Sequence, residues 1–99
     1  MTNNQFFITD KVFIFIYETK EAATKATASW AKAIAVANEP PLIWIEYWSK
    51  RLNSRVTFST PNEPIFVIKK DEDYWHVIIG ERVGWIVSRG PLGLKEINK

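Results

Sequence analysis

The sequence predicts one α+β domain, a small β-barrel with an N-terminal β-strand and a single α-helix packed on it. Three observations carry the prediction. The chain has 99 residues, 46% hydrophobic and 14% aromatic, which suits one modest core and is too apolar for a disordered chain. An Ala-rich stretch without Gly or Pro fills residues 19–38. Short β-branched and aromatic runs, broken by turn residues about every ten positions, fill most of the remainder.

The elements follow in order. Phe6, Phe7 and Ile8 form an apolar knot in a polar N-terminus. Lys11–Tyr17 (KVFIFIY) is a β-branched and aromatic run bounded by charge, which predicts a strand. Its near-continuous apolarity implies burial on both faces. Residues 19–38 then predict a helix. Thr19 is its N-cap and Glu21 sits in the first turn, where the helix dipole favours an acid. Ala23, Ala26, Trp30, Ala33, Ile34 and Ala37 share one stripe, with Trp30 its one large anchor. Asn38 and Pro40-Pro41 end it.

Beyond the prolines the pattern reads as β. Leu42–Trp48 (LIWIEYW), Arg55–Ser59, Ile65–Lys69, Tyr74–Ile79 and Val83–Ser88 are expected strands, with a short final strand at Leu94–Ile97. Asn53-Ser54, Pro61–Pro64, the acidic Asp71-Glu72-Asp73, Gly80-Glu81-Arg82 and Gly90-Pro91 separate them. On the first of these strands, period two puts Trp44, Glu46, Trp48 and Lys50 on one face and Ile43, Ile45 and Tyr47 on the other. The isoleucine face is expected to point inward. The Trp44/Trp48 face is then either covered by the Ala-rich helix or open as a binding platform.

Residues 64–97 resemble the second half of an SH3-like barrel. The apolar strand Ile65–Ile68, the acidic loop, Tyr74-Trp75, the tight turn at Gly80 and then Gly84-Trp85-Ile86 follow that family's order. Trp75-His76-Val77 and Gly84-Trp85-Ile86 are most similar to the bacterial SH3-like type. Val56-Thr57-Phe58 matches the strand before the family's diverging turn, and Leu42–Glu46 falls where its first strand would be. The resemblance thus covers about residues 42–97, with 1–40 as a strand-helix extension of the same domain. Val87 and Gly90 stand where the proline-peptide-binding version has Pro and Tyr, and Tyr74 keeps one groove aromatic. The resemblance therefore implies the fold rather than recognition of PxxP peptides.

Charge and composition narrow the function. The net charge is +2, from 13 basic and 11 acidic residues. The excess lies entirely in residues 51–99 and is thinner than the footprint of dedicated nucleic-acid binders. Without cysteine there is no disulfide, thiolate nucleophile or Cys-metal site. Neither an export signal nor an apolar run of membrane-spanning length is visible, so a cytoplasmic location without membrane association is expected. His76 is the sole histidine, with no partner of metal-ligating type at ligand spacing. A small hydrolase would need it beside a buried acid in a cleft. No phosphate loop, nucleophile elbow or zinc-helix motif occurs.

These readings predict a non-catalytic interaction module without cofactor or metal. The expected partner is a protein or another copy of the chain, with nucleic acid second. The expected contact residues are Trp44, Trp48, Arg51, Arg55 and Tyr74, since Trp, Tyr and Arg concentrate binding energy at interfaces. The same side chains could stack and neutralise a single strand. A protein-binding surface predicts an apolar patch rimmed by mixed charge; a nucleic-acid site predicts a positive stripe.

Overall fold

The strand Val12–Tyr17 has apolar side chains on both faces, and the domain is assembled around it. The computed structural model of the chain describes residues 6–30, 33–37, 39–89 and 92–97. The elements are β1 (Phe6–Ile8), β2 (Val12–Tyr17), α1 (Lys20–Ser29), β3 (Ala35–Ala37), α2 (Leu42–Leu52), β4 (Val56–Ser59), β5 (Ile65–Asp71), β6 (Tyr74–Ile79), β7 (Arg82–Val87) and β8 (Lys95–Glu96). The architecture is α+β. Eight strands form one curled antiparallel sheet in the order β3-β2-β7-β6-β5-β1-β8, with β4 paired to β2 off that path.

β5, β6 and β7 form a meander. Asp71 pairs with Tyr74 across the first hairpin and Ile79 with Arg82 across the second. Each turn needs a left-handed residue, and Glu72 (φ 58°) and Gly80 (φ 62°) supply it. β7 then meets β2 at Tyr17 and Trp85. Here the backbones approach so closely that a Cβ at Gly84 would lie 2.6 Å from both the Tyr17 carbonyl oxygen and Ile16 Cγ2. Gly84 is therefore required by its close contact with β2.

Alternation along β2 divides the interior in two. Ile14 and Ile16 point into one cluster with Ile65, Val77, Ile79 and Ile86. Phe15 and Tyr17 point into the other, with Ala23, Ala26, Trp48, Val56 and Val87. The two helices contact the second face. α1 begins as its sequence implies, with the Thr19 hydroxyl accepting from the Ala22 amide at 3.0 Å.

Three local expectations are overturned. The predicted helix over 19–38 stops at Ser29, and Trp30 (φ −162°) caps it in extended geometry. Ala35–Ala37 instead pairs with Val12–Ile14. β7 reaches β2 only at Tyr17, so without β3 the 12–14 edge would leave backbone groups unpaired. Alanine's helix propensity yields to that demand. The second correction is larger. Leu42–Trp48, expected to be the first barrel strand, is helical within α2. As a strand it would place Trp44 and Trp48 on one face with Glu46 and Lys50. As a helix it turns Trp44, Ile45, Trp48 and Leu52 inward and the charges outward. The Ile45 amide donates to the Pro41 carbonyl at 2.9 Å, opening the helix. Asn53, left-handed at φ 50°, closes it behind Lys50 and Arg51. The third is Phe6–Ile8, read as a knot in a polar N-terminus, which forms strand β1 between β5 and β8. The expected break at Gly90-Pro91 lies outside the described residues.

Replacing Gly84 with alanine should destabilise the domain by about 2–3 kcal/mol, because the obstructing atoms include backbone. Val83→Ala, at an exposed neighbour, should stay within about 0.5 kcal/mol. Urea unfolding of the two variants checks the difference; equal losses would contradict the close β2–β7 contact.

Candidate protein-interaction surface

The site forms where α1 ends against α2. Trp30, at the α1 C-cap, lies 4.3 Å from Trp44 and 6.2 Å from Trp48 between ring centroids. Tyr47 meets both α2 tryptophans edge-on, at 5.8 Å and 5.1 Å. The Arg51 guanidinium stands 6.0 Å above the Tyr47 ring. Ser29, Trp30, Trp44, Tyr47, Trp48 and Arg51 line a groove of about 400 Å³. Trp44 is also a wall of a second groove of about 290 Å³, lined by Val36, Glu39, Pro40, Pro41, Leu42 and Ile43.

Between and beside the grooves runs the outer face of α2. Leu42, Ile43 and Tyr47 are 64%, 78% and 44% exposed. Because Trp44, Ile45 and Trp48 occupy the inner side, helical period alone dictates this exposure. The expectation that Ile43 and Tyr47 point inward is thus corrected. Glu39, Glu46, Lys50 and Arg51 border the patch and are themselves exposed.

The structure separates the five expected contact residues. Trp44, Trp48 and Arg51 meet at the groove. Trp48 is only 1% exposed, so it serves chiefly as core beneath the groove. Its indole Nε1 is the one buried side-chain polar atom without a hydrogen-bond partner among the described residues. Arg55 lies beyond the end of α2, where its backbone amide donates to Glu18 at 3.3 Å. Tyr74 lies under α1, its hydroxyl 3.1 Å from the Thr27 hydroxyl. Trp30 and Tyr47 were not expected as groove residues. Trp30 was assigned to the middle of a longer helix, and Tyr47 to the opposite face of a strand. The missed signal was the spacing of Trp44, Trp48 and Leu52 at helical intervals between Pro41 and Asn53.

The chain's other polar constellations hold the fold together. Arg82 donates to Glu63 and to the carbonyls of Phe58 and Ile79. Burial pushes the Tyr17 hydroxyl well above the ordinary tyrosine range, and it donates to the Ala33 carbonyl. His76 stacks on Trp85 at 4.8 Å with planes 7° apart. Among the described residues, no group of three His, Asp or Glu is placed to hold a metal ion. No helix of the described residues is long and apolar enough to cross a membrane.

Compared with known proteins, the chain matches no family model, no curated protein and no solved structure.

Beside Tyr74, Lys20 Nζ donates to Asp71 Oδ2 at 2.6 Å. That bond holds the Asp71 carboxyl below its ordinary value of 3.8 and raises the Lys20 ammonium above its ordinary 10.5. The pair's stabilisation is present above the unfolded aspartate pKa and fades as pH falls through the lowered native one. At the alkaline end it fades as pH rises through the raised lysine value. Both side chains remain about a third or more open to solvent, so the contribution is small. A carboxyl-carbon NMR titration should find Asp71 below 3.8 in the native protein and returned to about that value in Lys20→Met; an unchanged titration would remove the pair. Separately, Trp48→Ala should cost about 3–5 kcal/mol in chemical unfolding, and Trp44→Ala distinctly less.

Proposed function

We propose that this chain is a non-catalytic interaction module that binds a protein partner across the outer face of α2 and its aromatic groove. The observation that carries the reading is the exposed apolar patch Leu42, Ile43 and Tyr47, bordered by acids and bases together. Interface energy concentrates in Trp, Tyr and Arg set in partly desolvated pockets. Trp30, Trp44, Tyr47 and Arg51 form such a setting. Mixed charge weighs against nucleic acid, because Glu39 and Glu46 would face phosphates.

The SH3-like resemblance enters this reading as a scaffold. The β5–β6–β7 meander, its tight turn at Gly80 and the Gly84-Trp85-Ile86 strand support it. The segment expected to supply the first barrel strand is α2, so the proposed surface lies on an addition to that scaffold. Tyr74, the one aromatic retained from the proline-peptide groove, is engaged by Thr27 of α1.

Selection of phage-displayed random peptides against the intact protein should enrich binders that perturb tryptophan fluorescence. Trp44→Ala and Arg51→Ala should each weaken them about tenfold or more. Enriched peptides indifferent to both substitutions would overturn the proposed surface. Labelled single-stranded and duplex oligonucleotides should fail to bind at about 50 mM salt; binding there that collapses at about 200 mM would favour a nucleic-acid protein instead.

A further inference from the structure

We propose that the partner seated on the outer face of α2 is a second copy of this chain, the two α2 helices lying antiparallel across a two-fold axis. This rests on the interaction reading above and names its occupant. Ile43 and Tyr47 are one helical turn apart and both exposed, at 78% and 44%. A two-fold pairing that lays Ile43 of one helix over Tyr47 of the other buries each of them twice. The same register fixes the charges. Glu39, exposed at the N-terminal end of α2, falls opposite Lys50 and Arg51, exposed at the C-terminal end of the other copy, and the match repeats at the far end.

Charge order is what singles out a second copy. Along the face Glu39 stands at one end, Ile43 and Tyr47 in the middle with Glu46 on their flank, and Lys50 and Arg51 at the other end. A partner segment of one charge sign would meet repulsion at one end, whereas an antiparallel copy meets its opposite at both. Isologous two-fold contacts need this kind of self-complementarity. Antiparallel packing also brings the positive end of each helix dipole to the negative end of the other. An 11-residue helix is about 16 Å long, so the contact falls at the low end of interface sizes and the dimer is weak.

Sedimentation equilibrium of the intact protein, from about 10 µM to 1 mM, reads the association directly. The wild type should follow a monomer–dimer equilibrium in that range. Ile43→Glu should raise the dimer dissociation constant at least tenfold. Glu39→Lys sets a positive charge against Lys50 and Arg51 at both ends of a homodimer, Arg51→Glu sets a negative charge against Glu39 at both ends, and each alone should weaken the dimer about fivefold or more. Mixed together, these two variants should form a heterodimer clearly tighter than either variant's own homodimer, because positions 39 and 51 then carry opposite charges at both ends. All three positions are exposed, so circular dichroism should remain native throughout. A wild type that stays monomeric across the range overturns the proposal. So does a dimer indifferent to Ile43→Glu, or a failure of the two charge variants to associate. None of these outcomes touches the interaction reading, which the peptide selection decides separately.

Discussion

β2 is a strand with no solvent face, and the rest of the domain answers that constraint. From Ile14 to Tyr17 every side chain is buried, alternately into two clusters. A sheet alone can cover one side of such a strand. The meander and β1 enclose Ile14 and Ile16 by curling round them. Phe15 and Tyr17 need a second layer, and the helices are that layer. The alanines of α1 let its backbone approach, and Trp48 of α2 fills the wider gap beside Val56. Trp48 joins Phe15 and Tyr17 as the large, fully buried side chains of this cluster.

The inward turn of Trp48 has a geometric consequence. A helix of 3.6 residues per turn that places Trp44, Ile45, Trp48 and Leu52 inward must turn Ile43, Tyr47 and Lys50 outward. The sequence supplies apolar residues at two of those three positions, where a purely structural helix would be expected to carry polar ones. The core explains Trp48 and the inner residues. It does not require Ile43 or Tyr47, and that excess is what a partner would use. On the proposed reading, partner contact and stability therefore separate along a single helix, with Trp44 and Arg51 at the boundary between them.

Much of this fold was legible in the sequence. Lys11–Tyr17, read as a strand buried on both faces, is β2, and the expected strands at 55–59, 65–69, 74–79 and 83–88 are β4 to β7 within one or two residues. These segments carry local signals, alternation or β-branched runs ended by turn residues, that agree with their tertiary setting. The failures fall where local preference and packing disagree. Isoleucine, tryptophan and tyrosine favour strands, so LIWIEYW reads as β until the placement of Glu46 and Lys50 is weighed. Ala35–Ala37 reads as helix until the open edge of β2 is known, which no local window contains. Reading Leu42–Trp48 as a strand also rearranged the aromatic cluster. It kept Trp44, Trp48 and Arg51 together but sent Tyr47 to the wrong face. Trp30 was hidden by a predicted helix that ran on past it.

The sheet's edges explain why an interaction surface would lie on a helix here. Exposed strand edges recruit other strands without discrimination, and proteins blunt them. The edge strands β3 and β8 are three and two residues long, and β8 is Lys95-Glu96. On β4, the Phe58 carbonyl is taken by the Arg82 guanidinium. Ile68 and Val83, the other large apolar side chains exposed among the described residues, stand apart from the α2 patch on β5 and β7. The described edge strands are thus short or carry an occupied backbone carbonyl, whereas the apolar patch of α2 is open to solvent. A helix face can discriminate through the order of its charges and the shape of its grooves, which a bare strand edge cannot.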